Sequence, residues 1–161
     1  MCRNAPAKVA RVALLCLLVV AIAPRPGPLS ARPDDVADVP SQDRRAGGDA
    51  NKRFFLIGPR KGAREPRQGF GLVVVLPGGP GGADFHRFVK LIYKQAVPDG
   101  YLVAQPVAVR WTDKQFIVWP TKEVPAAKMQ FTTEEFVAAV IKEVAARHKV
   151  DPRKVFTLSW S

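Results

Sequence analysis

The chain closes on VFTLSWS, with Ser161 as its last residue. A serine hydroxyl is a poor nucleophile until a neighbouring base takes its proton. One arrangement that makes it useful sets the serine on a strained corner between a strand and a helix. Small residues two before and two after it let the chain fold back and lift the hydroxyl above the sheet. Here Val155–Leu158 is the strand-forming run, Ser159 the first small position, Trp160 the variable one and Ser161 the nucleophile position. Serine replaces the usual glycine at Ser159, and taken alone the match is a weak signal.

A second element bears on the same chemistry. PGGPGG, residues 77–82, follows directly on an apolar run. Acyl transfer builds negative charge on the carbonyl oxygen, and main-chain N–H groups aimed at that oxygen lower the barrier by several kcal/mol. Glycines let a backbone crowd a substrate and expose such donors. Pro80 has no N–H, so it can shape the loop but not donate. A phosphate-cradling reading fails on spacing. No Gly-Lys-Ser/Thr closes the loop and no G-x-G-x-x-G is present.

These two motifs need elements that place them together. Phe70–Leu76 (FGLVVVL) is a continuous β-branched run bounded by glycine and proline, the pattern of a strand covered on both faces. Residues 83–97 carry Phe85, Phe88, Val89, Ile92 and Tyr93 at helical spacing. Tyr101–Gln105 is a second strand, and residues 106–131, with Trp111, Trp119, Pro120 and Pro125, read as loop. Thr132 and Glu135 form a capping box ahead of a helix whose stripe is Phe136, Val137, Val140, Ile141 and Val144. Asp151-Pro152 is expected to stop that helix, leaving Val155–Leu158 as a third strand. KRFFLIG, residues 52–58, reads as an early strand and residues 58–69 as a turn or loop. Strand, helix, strand, helix, strand implies an α/β fold with a mostly parallel sheet and flanking helices. Both the glycine loop and the serine then lie at the carboxyl ends of strands, where open sheets bind ligands.

From about Gly71 to Ser161 the chain resembles the front half of an α/β-hydrolase. It is most similar to exported esterases of the feruloyl esterase, polyhydroxybutyrate depolymerase and phospholipase/carboxylesterase-like group. LVVVLPGGPGG, YLVAQP, VWPT and VFTLSWS carry the likeness. The resemblance implies a partial fold, incomplete at its C-terminal side, with Ser161 as nucleophile and Gly78 and Gly79 in the oxyanion loop. Pro77 stands where a histidine often opens that loop. His86, close behind the loop, is a candidate to line an acyl pocket, with Trp119 as an aromatic wall and Trp160 packed beside the nucleophile. Loop packing for Trp111 and Trp119, and a helix-start role for His86, remain the alternatives.

The implied substrate is a small-molecule or polymeric ester. GGPG is also similar to proline iminopeptidase-type hydrolases of the same fold, and a non-catalytic exported binding domain is a further alternative. The family order is serine, acid, histidine, whereas His86, His148, Asp84 and Asp113 all precede Ser161. The expectation is therefore a truncated, hydrolytically inert piece whose third strand lies at an open sheet edge.

Composition narrows the remainder. Arg3, Lys8 and Arg11 precede the apolar run Val12–Ala23, the form of a secretory signal segment covering residues 1–23, with cleavage there or as late as 31. Twelve residues at about 1.5 Å each fall short of a hydrocarbon core of about 30 Å, so no stable membrane anchor is expected. The protein is thus expected to be secreted or periplasmic. Residues 24–51 lack an apolar period and read as a disordered linker. Cys2 and Cys16 both lie in the leader, leaving no disulfide. Net charge is +11, of which the leader supplies three positive charges. The basic excess lacks interleaved aromatics, so no nucleic-acid partner is expected. No metal site and no cofactor are expected from two histidines and scattered acids.

Overall fold

Three apolar runs far apart in sequence come to lie side by side in a five-stranded sheet. The computed structural model describes residues 36–161, so the leader, both cysteines and the linker up to residue 35 lie outside the described residues. The strands are β1 (Ser41–Arg45), β2 (Arg53–Ile57), β3 (Phe70–Leu76), β4 (Tyr101–Pro106) and β5 (Val150–Ser159). Helix α1 (His86–Ala96) follows a 3₁₀ turn at Ala83–Phe85, and α2 (Thr133–Ala145) precedes β5. Sheet order is β1-β2-β4-β3-β5. β3 pairs in parallel with β4 and with β5, while β1 and β2 run antiparallel to their neighbours.

The two helices cover opposite faces. Phe136, Val140 and Val144 of α2 pack with Phe54, Leu56, Leu72, Val74, Leu102 and Ala104. Val89 and Tyr93 of α1 pack with Ile57, Val75 and Val103 on the other side. Alternate residues of β2, β3 and β4 therefore serve both cores, which is why these strands read as unbroken apolar runs rather than as alternation. The capping box forms as its sequence predicts: Glu135 N–H donates to Thr132 Oγ1 at 3.2 Å, and Thr132 N–H donates to Glu135 Oε2 at 2.8 Å.

Two expectations are corrected. Residues 36–51, read as part of a disordered linker, are ordered: Val36 and Val39 join the α1-side core and Ser41–Arg45 is a strand. The strand carries no apolar period because it is an edge strand held by main-chain bonds to β2 and by a fork from Arg53. Its Nε reaches Asp43 Oδ1 at 3.1 Å and its Nη2 reaches Oδ2 at 3.0 Å. Polar edge strands are the usual defence against further pairing.

The second correction concerns Asp151-Pro152. The pair does not stop a helix; α2 has already ended at Ala145, and both residues lie inside β5. The ladder shifts register between Phe70 and Leu72, and Asp151 fills that irregularity with a buried carboxylate. It accepts bonds from Arg153 N–H and from the Arg153 guanidinium, each at 3.1 Å. Pro152 is tolerated because, among the described residues, β5 is paired on one side only.

Candidate active site

Parallel pairing brings Leu76 opposite Ser159 at the ends of β3 and β5. The next residues of each strand then meet. A Cβ added to Gly78 would collide with the Trp160 carbonyl oxygen and stand 2.9 Å from Ser161 Cα. Only glycine lets the loop backbone lie this close to the serine corner. The two motifs singled out by residue type are thus neighbours on one rim of the sheet.

The glycine loop is pinned at three points. Trp119 Nε1 donates to the Pro77 carbonyl at 2.8 Å. Gly81 N–H donates to Gly78 O at 3.0 Å, closing a turn, and Ala108 N–H donates to Gly81 O at 3.0 Å. Among the described residues the N–H groups of Gly78 and Gly79 make no main-chain bond outside the helices and strands. They differ in setting. Gly78 is buried beneath the Trp160–Ser161 peptide, whereas Gly79, with φ at 57°, is exposed. Gly79 and Pro80 border an open cavity of about 470 Å³, with Arg110, Asp113 and Lys114 among its other walls.

The remaining sequence candidates separate. Trp160 is half-buried on the α1 face, edge-on to Phe85 (6.1 Å between ring centroids) and Phe88 (5.6 Å). Trp119 holds the glycine loop by its indole N–H, a fixing role rather than a free wall. Trp111 packs edge-on against Phe131 at 4.9 Å. His148 sits edge-on to Phe70 at 6.2 Å, past the end of α2. Asp84 lies in the 3₁₀ turn and Asp113 on the cavity loop.

His86 is engaged away from Ser161. It stacks on Phe55 of β2 at 3.9 Å between centroids, its Nε2 is 2.8 Å from Ser41 Oγ, and its Nδ1 is 3.1 Å from Gln105 Oε1. Burial, partly offset by the Gln105 hydrogen bond, holds its pKa below the ordinary imidazole value. Its ring nitrogens thus face Ser41 and Gln105 and not Ser161.

Residue types alone gave no notice of Ser41, Gln105 or Gln115. Gln115 shapes the cavity loop: Trp111 N–H donates to its Oε1 at 2.8 Å, and its Nε2 donates to Val109 O at 3.2 Å and Ile117 O at 2.7 Å. Gln105 offered one signal, a lone amide in the apolar strand YLVAQP. Among the described residues no group of three or more His, Cys, Asp or Glu could hold a metal ion.

No protein family's model and no curated protein matches the chain. Among solved structures, a variant of esterase rPPE is similar at 15% identity and a TM-score of 0.48, over 78% of this chain and 35% of that one. A thermostable esterase from Pseudomonas putida is similar at 15% identity and a TM-score of 0.47, with the same coverage. The BES protein from Bacillus cereus follows at 11% identity and a TM-score of 0.40, over 75% of this chain and 50% of that one. The chain spans about a third of the length of those esterase chains.

Proposed function

We propose that this chain carries the nucleophile and oxyanion loop of an exported carboxylic-ester hydrolase. Ser161 is the attacking residue, and the Gly78 and Gly79 N–H groups are its oxyanion donors. The observation that supports the reading is the contact between Gly78 and the Trp160–Ser161 backbone. It brings the loop backbone at Gly78 against a serine corner at the carboxyl ends of two adjacent parallel strands. In this reading the loop N–H groups would meet the oxyanion that develops when Ser161 approaches an ester carbonyl.

In this reading Ser161 Oγ adds to the acyl carbon, the alcohol leaves, and water later releases the acid. Both steps need a base, and His86 and His148 are engaged elsewhere. Neither histidine faces Ser161, so the base in this reading is a group other than these two. The basic leader before an apolar run supports export, and the substrate class is an ester of small or polymeric form.

The test joins sequence to assay. The coding frame beyond codon 161 should specify a small residue two positions after Ser161, then an acid and a histidine in that order. Its product should hydrolyse p-nitrophenyl butyrate and lose that activity in Ser161→Ala. A longer product with undiminished activity in Ser161→Ala, or a stop directly after codon 161, would remove the reading.

A further inference from the structure

At the opposite edge of the sheet lies a hydrogen-bonded chain of three side chains that the ester-hydrolase reading does not use. Ser41 Oγ is 2.8 Å from His86 Nε2, and His86 Nδ1 is 3.1 Å from Gln105 Oε1. Ser41 lies on β1 and Ser161 just past β5, four strand spacings apart, or about 19 Å. The two serines belong to separate sites.

The order of contacts is that of an activated nucleophile. A serine faces one imidazole nitrogen and a carboxamide faces the other, the order in which an imidazole can serve as base to a hydroxyl. With Nδ1–H donated to Gln105 Oε1, Nε2 carries the lone pair towards Ser41. Gln105 is fully buried, and its Nε2 has no partner among the described residues. Phe55 stacks beneath the imidazole and fixes its plane. Ser41 and His86 are both partly exposed, so a reagent can reach them.

A main-chain donor is also at hand. Gly58 N–H donates to Pro40 O at 2.9 Å and Ala46 N–H donates to Lys52 O at 3.0 Å. Even-numbered residues of β1 therefore bond to β2, and the Ser41 N–H faces the open edge of the sheet. A nucleophilic serine's own N–H is a usual oxyanion donor. One donor is fewer than a hydrolytic site assembles, which favours a single capture over turnover.

We propose that Ser41, with His86 as general base and Gln105 as positioning residue, is a reactive serine that takes an acyl or phosphonyl group from an activated ester. With a fluorophosphonate, Ser41 Oγ forms a bond to phosphorus, the P–F bond breaks and fluoride leaves. The Ser41 proton passes to His86 Nε2 and on to solvent. With a p-nitrophenyl ester the Oγ–C bond forms, nitrophenolate leaves, and the acyl-Ser41 ester persists.

The experiment is labelling of the whole chain with a biotinylated fluorophosphonate, followed by peptide mapping. Mapping resolves Ser41 from Ser161, and the ester-hydrolase reading is tested separately by the Ser161→Ala assay. The expected adduct is on Ser41, at no more than one equivalent, and His86→Gln slows its formation by about a hundredfold. The labelling rate should rise with pH along the titration of His86, whose surrounding charges are Asp43 on β1, Arg53 on β2 and Lys90 on α1. Gln105→Glu should keep the label and move that midpoint to higher pH, a displacement that labelling without His86 as base would not show. Absence of a Ser41 peptide adduct in the wild-type chain, or an adduct whose rate is unchanged in His86→Gln, overturns the proposal.

Discussion

At the scale of single residues, Gly78 and His86 make opposite demands on their surroundings. Gly78 is glycine because two chain segments meet across it. In Gly78→Ala the new methyl must displace the Trp160–Ser161 peptide, an overpacking expected to cost about 1–3 kcal/mol. Urea unfolding reads that loss directly. At Gly79 the nearest atom to an added Cβ is the Phe85 ring at 3.5 Å, so only its positive φ opposes alanine. Unchanged stability in Gly78→Ala would mean that the loop and the serine corner are not in contact. His86 adds a pH dependence. Its folded pKa lies below the ordinary imidazole value of about 6.5. The unfolded chain therefore takes up the proton first, and stability falls as pH drops from about 6.5 towards the folded pKa. Above that window the contribution is fully present. Thermal unfolding followed from pH 8 to 5 should show this decline in the wild type and lose it in His86→Gln. Asp43 and Asp151, both lowered by their arginine partners, weaken the fold only at more acid pH. Serine and glycine announced themselves by type, since few roles need GG beside a strand or serine at a corner. Ser41 did not, because its partners are remote in sequence and only the sheet brings them together.

At the scale of elements, legibility followed the source of each element's stability. β3 and β4 are buried on both faces, so burial wrote their composition, and their predicted limits match within a residue. α2 wrote its own start, since Thr132 and Glu135 satisfy donors that the helix cannot. Thr132→Ala should lower stability by about 1 kcal/mol, seen as a reduced urea midpoint at unchanged slope. A larger loss is expected for Phe136→Ala, about 3–5 kcal/mol, because the ring fills a buried site between α2 and the sheet. An equal loss in the two variants would show that α2 is docked more weakly than its buried stripe implies. β1 escaped notice because main-chain bonds and the Asp43–Arg53 pair hold it, and neither leaves an apolar period. β5 was read short for a related reason. Its first residues are irregular and rest on Asp151 accepting from Arg153, a local bond no hydrophobic pattern records.

At the scale of the whole molecule, the two edges of the sheet are finished differently. β1 presents SQDRR, polar and charged. Among the described residues β5 is unpaired along its outer side, and Phe156 and Leu158, 51% and 39% exposed, point to the face that holds Trp160. Phe88 of α1, 50% exposed, meets Trp160 on that face, so open backbone donors border an apolar strip. Such an edge templates pairing with another chain. The opposing term is charge: at a net charge of +11 the copies repel one another. Repulsion is screened over about 10 Å at 0.1 M salt and about 3 Å at 1 M, whereas strand pairing and apolar burial are not weakened by salt. Self-association should therefore increase with both protein concentration and salt, the reverse of a charge-driven assembly. Light scattering across that range provides the measurement. Phe156→Lys with Leu158→Lys places two further cations on the edge and should hold the chain monomeric up to high salt. A monomer at every concentration in the wild type, or association that weakens as salt rises, would show that the β5 edge is not the surface on which copies meet.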